Sequence, residues 1–262
     1  MSPLAIDLYC GLGGWTEGLL AEGWDVVGFD LERHVYDEHR YPAQLVLQDV
    51  LTLHGSQFRD AALIVASPPC QEFSYMAMPW SKAKAIAAEY REGKRDVKKL
   101  TALFDACFRI QREACEAAGH HIPLVVENVR GAQPWVGRSR WNFGSFHLWG
   151  NVPALMPMTL HGVKVGGIDF NGYGTPRYRP VAFNGTAEKR LREAGQTETS
   201  RNPVHEHIKQ GGDWLNAEQP SISRMCGSKS PARKAASAMI ARIPLPLARY
   251  IARTFRPGES CI

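Results

Sequence analysis

The sequence predicts an α/β fold organised around one doubly wound, largely parallel sheet. Three observations carry that expectation. Apolar runs of strand length begin at Leu4, Trp24, Leu45, Leu63 and Pro123, and stretches of helical composition separate most of them. That alternation calls for right-handed crossovers and therefore parallel strands. Each run ends on a glycine, a carboxylate or a proline pair, the residue types that line the carboxyl edge of such a sheet, where ligands collect. At 262 residues the chain suffices for one large domain or a domain with a small insert, and it can bury a core without covalent staples.

Taken in order, Leu4 to Cys10 reads as the first strand and Gly11-Leu12-Gly13-Gly14 as a tight turn. Trp15 to Glu22 has helical composition, with Trp15, Gly18, Leu19 and Glu22 along one side, and Gly23 ends it. Trp24 to Asp30 is the second strand, a charged helix is expected from about Glu32, and Leu45 to Val50 is the third strand. Glycines after the first strand let a backbone approach a ligand at a helix N-terminus. Asp30 ends its strand 19 residues beyond Gly11, where a carboxylate can accept both ribose hydroxyls of a nucleoside cofactor. Asp49 can accept from an adenine amino group. Thr16 stands where a dinucleotide fingerprint carries its third glycine, which argues against nicotinamide. A purely structural glycine turn also explains the cluster, though less well with two acidic strand ends beside it.

The fourth strand, Leu63-Ile64-Val65-Ala66, is stopped by Pro68-Pro69, which leaves Cys70 on the loop just past it. A cysteine there is a candidate nucleophile, because a polar loop can favour the attacking thiolate; a small apolar residue closing a strand is the plain alternative. From Lys82 to Lys99 there are seven basic and three acidic side chains. Such a segment beside a nucleophile suits closure over a polyanion, while a charge run alone is more often a solvated face. Leu100, Leu103, Phe104, Cys107 and Cys115 fall near one side of a helix reaching Ala118, with both cysteines as core fillers. His120 and His121 are expected to face solvent.

The fifth strand, Pro123 to Val126, delivers Glu127 and Asn128 to the same edge. A carboxylate after a buried strand costs free energy unless it is paired or protonated. With the fourth and fifth strands close together, Cys70 and Glu127 would face one pocket as nucleophile and general acid. A glutamate that merely caps local structure is the alternative.

Composition narrows the class. A hydrophobic content of 44% and a charged content of 22% are ordinary for a globular protein. No apolar run approaches the ~20 residues of a membrane span, so no membrane partner is expected. The N-terminus starts a strand rather than a signal peptide, and the six cysteines form no paired framework, which fits a reduced cytoplasm. The net charge of +5 matters mainly through its distribution.

Asp7-Leu8-Tyr9-Cys10-Gly11-Leu12-Gly13-Gly14-Trp15, Pro68-Pro69-Cys70-Gln71-Glu72-Phe73-Ser74 and Glu127-Asn128-Val129 resemble, in order and separation, the first, fourth and sixth motifs of the cytosine-5 DNA methyltransferases. The resemblance covers roughly residues 1 to 150, resumes near the C-terminus, and is closest in length to the compact bacteriophage enzymes. It implies a Rossmann-like S-adenosylmethionine-dependent methyltransferase fold with a small inserted target recognition domain. It further implies transfer of a methyl group from S-adenosyl-L-methionine to C5 of a cytosine flipped out of duplex DNA. In that reading Cys70 adds to C6, Glu127 contacts N3 and the exocyclic amine, and Asn128 holds the Pro69–Cys70 loop. Tyr9, Gly11, Leu12, Gly13, Gly14 and Trp15 bound the cofactor, Asp30 lies at its ribose and Asp49 with Val50 at its adenine, and Leu31 and Pro69 also belong to the cofactor site. Gly137-Arg138-Ser139-Arg140 resembles the arginine-containing eighth motif without its glutamine, and Arg140, then Arg138, is the preferred contact to the base or phosphate.

The same resemblance assigns residues 1–150, completed by 224–262, to catalysis and cofactor binding, and 151–223 to target recognition. In the latter interval glycines and prolines break any long element, while Arg177, Tyr178, Arg179, Lys189, Arg190 and Arg192 can read guanines or hold phosphates. His205-Glu206-His207 lacks a third ligand, and no metal is expected. From Gln219 to Gly258 there is no acidic residue against eight basic ones, which suits a phosphate backbone. Ser237 to Ala248 resembles the family's last motif with Ile240 and Ala241 in place of its Gly-Asn pair, and Leu247 to Phe255 should be a helix with Leu247, Tyr250, Ile251 and Phe255 inward. The expectation is therefore a monomeric cytoplasmic DNA (cytosine-5-)-methyltransferase of a bacterium or phage-infected cell. An RNA (tRNA) cytosine-5 methyltransferase and a non-catalytic DNA-binding relative are the alternatives. The recognised DNA sequence and the role in restriction-modification, evasion or regulation are not encoded in any motif.

Overall fold

A computed structural model of the chain describes residues 2–36, 38–71, 73, 80–143, 146–156 and 231–258. The chain divides into two compact units, 1–158 with 243–262, and 159–242. In the second unit the described residues form a helix, Pro231–Ala241. The first unit carries the sheet.

Its strands are β1 (Leu4–Leu8), β2 (Asp25–Asp30), β3 (Val35–Tyr36), β4 (His39–Arg40), β5 (Gln44–Leu47), β6 (Leu63–Ala66), β7 (Leu124–Asn128), β8 (Trp141–Phe143) and β9 (Phe146–Gly150). Seven of them form one sheet in the order β5-β2-β1-β6-β7-β9-β8. The first five in that order run parallel, and β9 and β8 close the edge antiparallel. The chain runs outward from β1 through β2 to β5, then returns to β6 on the other side of β1. This is the doubly wound Rossmann-like arrangement that the alternating pattern predicts.

The helices of this unit are α1 (Gly14–Ala21), α2 (Trp80–Arg91), α3 (Val97–Ala118), α4 (Gln133–Val136) and α5 (Leu245–Phe255). The central strands alternate between two cores. Ile64 and Ala66 of β6, with Leu124 and Val126 of β7, pack with Phe104, Cys107 and Ile110 of α3. Leu63, Val65 and Val125 join Trp15 and Leu19 of α1 and Leu247, Ala248 and Ile251 of α5. Burial on both faces explains why β6 reads as an unbroken apolar run. Each buried Val, Leu, Ile or Phe among these contributes about 1.5–3 kcal/mol over its exposed state. Asp96 caps α3 by accepting from the Lys98 amide at 2.9 Å, and Gly119, at φ 74°, ends it.

The structure corrects three local expectations. The charged helix from Glu32 does not form; β3 and β4 make a two-stranded hairpin instead. Val35 and Tyr36 favour extended backbone, and they pair antiparallel with Arg40 and His39. The third strand is Gln44–Leu47 rather than Leu45 to Val50, because Asp49 accepts from the Leu51 amide at 2.9 Å and caps a 3-10 turn over Val50–Thr52. The inner face of α5 is Leu247, Ala248, Ile251 and Ala252, with Tyr250 and Phe255 only partly buried.

Candidate active site

The carboxyl ends of β1, β2, β5, β6 and β7 converge on one edge of the sheet. Strand β1 stops at Leu8, since Tyr9 turns into the left-handed region at φ 57°. That turn sends its phenol to the Leu103 carbonyl of α3 at 2.9 Å. Gly11 and Gly13 continue the turn at φ 51° and 81°. At Gly13 a Cβ would meet Pro42 Cδ at 2.5 Å and the Tyr41 ring at 3.0 Å, so glycine is required there by conformation and by space. Leu12 and Trp15 are buried, and Gly14 opens α1.

Asp30 ends β2 with both oxygens engaged by backbone. One accepts from the Gly11 amide at 2.9 Å and the other from the Leu31 amide at 2.8 Å. Partial burial opposes ionisation, but the neighbouring His34 and the Gly11 and Leu31 amides outweigh it and hold the carboxyl below its usual range. An ionised carboxylate thus stands directly against the glycine turn. Around it Leu31, Leu47 and Leu51 are 70%, 52% and 46% exposed, apolar side chains grouped by strand register beside Asp30 and by sequence beside Asp49 and Val50. A carboxylate, a glycine turn and exposed apolar walls suit a nucleoside. Leu47, Leu51 and the bracing Tyr41 were not singled out from the sequence; an apolar residue beside each strand-end acid was the available signal for the two leucines.

Beneath the turn, Thr16 donates to Asp7 at 2.7 Å and lies 2.7 Å from the Tyr41 hydroxyl. Burial, opposed by Thr16 and reinforced by Asp30, raises the Asp7 carboxyl to about 7. Burial also pushes the Cys10 thiol up, so Cys10 is an inert core residue.

Across the boundary between β1 and β6, Trp15 Nε1 donates to Ser67 Oγ at 3.0 Å. The chain then passes Pro68 and Pro69 to Cys70, a half-buried thiol whose carbonyl accepts from the Phe73 amide at 3.0 Å. Strand β7 includes Glu127 and Asn128 rather than ending before them, because β9 pairs with both, opposite Leu148 and His147. They are 6% and 1% exposed. Asn128 Nδ2 donates to the Pro68 carbonyl at 3.0 Å, and its Oδ1 accepts from the Val129 amide at 2.8 Å. The loop carrying Cys70 is thereby clamped to the strand carrying Glu127.

An open cleft of about 660 Å³ lies against this loop, lined by Pro69, Gln71 and Phe73 of the loop, by Leu100 and Leu103 of α3, and by Tyr90, Lys94, Arg95, Asp96 and Lys99. The basic segment after Cys70 is thus helix α2 and the turn into α3. Arg138 and Arg140 are both exposed on a segment whose backbone is tied down. Arg140 N donates to Leu148 O at 2.8 Å, Trp149 Nε1 donates to Gly137 O at 2.9 Å, and Ser139 Oγ sits 2.9 Å from His147 Nδ1. Gln133, whose Oε1 accepts from the Ser139 amide at 3.3 Å, and His147 carried no sequence signal. Glu72, Ser74, the 157–223 interval with Arg177, Tyr178, Arg179, Lys189, Arg190, Arg192 and His205 to His207, and Arg224 lie outside the described residues. Among the described residues no helix is long and apolar enough to cross a membrane.

Comparison with known proteins bears on this geometry. Residues 4–131 match the family model described as C-5 cytosine-specific DNA methylase. No curated protein matches the chain. Among solved structures, a protein described as a DNA modification methyltransferase encoded within an E. coli prophage aligns at 22% identity with a TM-score of 0.33, over 50% of this chain and 33% of its own. The S. pombe Dnmt2 methyltransferase aligns at 17% identity and 0.32, over 52% and 37%. The Entamoeba histolytica methyltransferase EhMeth aligns at 15% and 0.33, over 52% and 41%. The chain thus spans between a third and about two-fifths of those proteins' lengths.

Proposed function

We propose that the chain, whose residues 4–131 match the family model described as C-5 cytosine-specific DNA methylase, is an S-adenosylmethionine-dependent DNA (cytosine-5-)-methyltransferase acting through a covalent Cys70 adduct. The observation that carries this reading is the Asn128 clamp, which fixes the Cys70 loop against the strand bearing buried Glu127.

The residues present fit the donor. Asp30 is ionised for a ribose, Asp49 and Val50 lie at the next strand end for an adenine, and Leu31, Leu47 and Leu51 leave apolar walls exposed for its ring. When bound, the donor supplies an electrophilic methyl group on a sulfonium. The chain's own residues handle the base. A cytosine must leave the stack to be reached. The Cys70 thiolate bonds to C6 while Glu127 provides a proton at N3, which makes C5 an enamine carbon able to accept the methyl group. The C5 proton then passes to water and the N3 proton returns to Glu127, which restores the ring double bond as the C6–sulfur bond breaks, so the thiolate and the carboxyl are regenerated and the base leaves as 5-methylcytosine. Arg138 and Arg140 present two guanidiniums on a braced segment for the base or a phosphate. Residues 151–223 supply target recognition, and 1–150 with 224–262 supply catalysis.

The test is trapping on duplex DNA containing 5-fluorocytosine in the presence of S-adenosylmethionine. Fluorine at C5 cannot leave as a proton does, so the wild-type protein should form a denaturant-stable complex and a folded Cys70→Ala variant none. Trapping by the alanine variant would refute the nucleophile assignment. Methyl transfer to tRNA but not to duplex DNA would move the substrate to RNA, and tight duplex binding without any transfer would make the protein a binding relative.

A further inference from the structure

The 3-10 turns over Val50–Thr52 and Gly55–Phe58 carry the adenine side of the candidate donor pocket, yet such short turns have little stability of their own. Helix α3 supplies what they lack. Arg109 Nη1 donates to the Leu53 carbonyl at 2.9 Å and Nη2 to the Leu51 carbonyl at 3.2 Å. The same guanidinium pairs with Glu113 one turn on, at 3.0 Å, and Glu113 Oε2 accepts from the Gly55 amide at 2.6 Å. At Gly55 a Cβ would lie 2.0 Å from the Ile110 carbonyl, so loop backbone rests directly on the helix. Ile110 and Cys107, on either side of Arg109, are fully buried, and the helix they anchor cannot easily shift. Charge-assisted hydrogen bonds to backbone carbonyls are among the stronger ones.

We infer that Arg109, locked by Glu113, is a positioning residue that holds the Val50–Leu53 backbone in the form that receives the adenosine end of the methyl donor. The inference rests on the methyltransferase reading above. It assigns Arg109 no contact with donor or base; it acts through Asp49, Val50 and Leu51, whose placement it fixes. The base side, from Cys70 to Asn128, is clamped independently by Asn128 and should be indifferent to it.

The test measures binding to the full-length protein of S-adenosylhomocysteine and, separately, of adenosine at millimolar concentration, by calorimetry. Arg109→Met should weaken both by the same factor, about tenfold, the loss expected when a charged group's hydrogen bonds are removed. Arg109→Lys, able to reach one carbonyl, should recover part of that loss. The donor KM should rise while kcat at saturating donor stays within about twofold and duplex affinity is unchanged, a split that general destabilisation would not produce. Unchanged affinity for both ligands in folded Arg109→Met would overturn the inference, as would equal losses in kcat and duplex affinity. If Arg109→Met does not fold, Glu113→Gln decides by the same two affinities, with a smaller loss expected. Wild-type protein that binds no S-adenosylhomocysteine would sink the functional reading itself, a result distinct from all of these.

Discussion

Replacing Asp7 by asparagine should remove a pH dependence of stability that the native fold carries near neutrality. Asp7 is 1% exposed. One oxygen accepts from Thr16 at 2.7 Å, and the other has no hydrogen-bond partner among the described residues. Burial is the largest influence on the group; Thr16 opposes it, Asp30 adds to it, and the carboxyl rises from 3.8 to about 7. In the unfolded chain it ionises near its ordinary value. Between those two values the native state therefore keeps a proton that the unfolded state has released, and stability falls as pH rises through the window. The slope approaches about 1.4 kcal/mol per pH unit, and the whole span is about 4 kcal/mol as an upper bound. Above pH 7 the contribution is flat.

Asparagine is uncharged throughout and can still accept from Thr16 through its carbonyl. Urea unfolding of both proteins at pH 5, 6, 7 and 8 gives the comparison. The stability of Asp7→Asn relative to wild type should grow by about 1 kcal/mol per unit from pH 5 to 7 and then level off. Asp30, Glu22 and Glu113 are held below their usual range. The stability they contribute is present above the ordinary carboxylate value and is lost as pH falls through their lowered ones, so they cancel in the difference. A difference independent of pH would refute the reasoning, because it would mean that Asp7 titrates alike in both states.

Two further substitutions follow from close contacts. Gly18→Ala would place a Cβ 2.3 Å from Ala248 Cβ and 2.6 Å from the Ala248 carbonyl carbon, so α1 and α5 must separate; a loss of about 1–3 kcal/mol in urea unfolding is expected. Asn128→Ala removes the donor to the buried Pro68 carbonyl. It should cost about 1–3 kcal/mol and slow Cys70 trapping on fluorinated DNA while leaving S-adenosylhomocysteine affinity unchanged.

What the sequence made legible and what it hid follow from how each feature is encoded. The five parallel strands were readable because each is a short apolar run closed by a glycine, an acid or a proline pair. The candidate nucleophile and the acids at Asp30 and Glu127 were readable for the same reason, being chemistry-bearing residues at strand ends. The hairpin over Val35–Arg40 was misread because its charges suggested a helix, whereas Val35 and Tyr36 favour extended backbone and pair across the turn. Arg109 and Glu113 looked like ordinary charges on an amphipathic helix, since nothing local shows that their targets are carbonyls and an amide more than 50 residues earlier. Tyr41 was equally hidden. Its role, wedged against Gly13 and, at 2.3 Å from a Cβ on Gly28, against β2, exists only once the glycine turn and β2 are side by side.

The strand order also explains how two chemically separate halves meet. In the function proposed above, the donor side of the site belongs to β1, β2 and β5 and the base side to β6 and β7, which are neighbours in the order β5-β2-β1-β6-β7. The order of winding reverses between β1 and β6, and in open α/β sheets that reversal opens the crevice where ligands bind. Trp15, on the helix that follows the glycine turn, crosses it to Ser67 at 3.0 Å, three residues before Cys70. On the proposed reading, the separation between methyl donor and nucleophile would be set by two adjacent strands, about 4.8 Å apart, with Ser67 also donating its amide to the Leu8 carbonyl at 3.1 Å. A loop-to-loop distance held only by side chains would drift as each loop moved. Here both loops grow from neighbouring strands buried on both faces, so the spacing that the proposed methyl transfer would require is a property of the sheet.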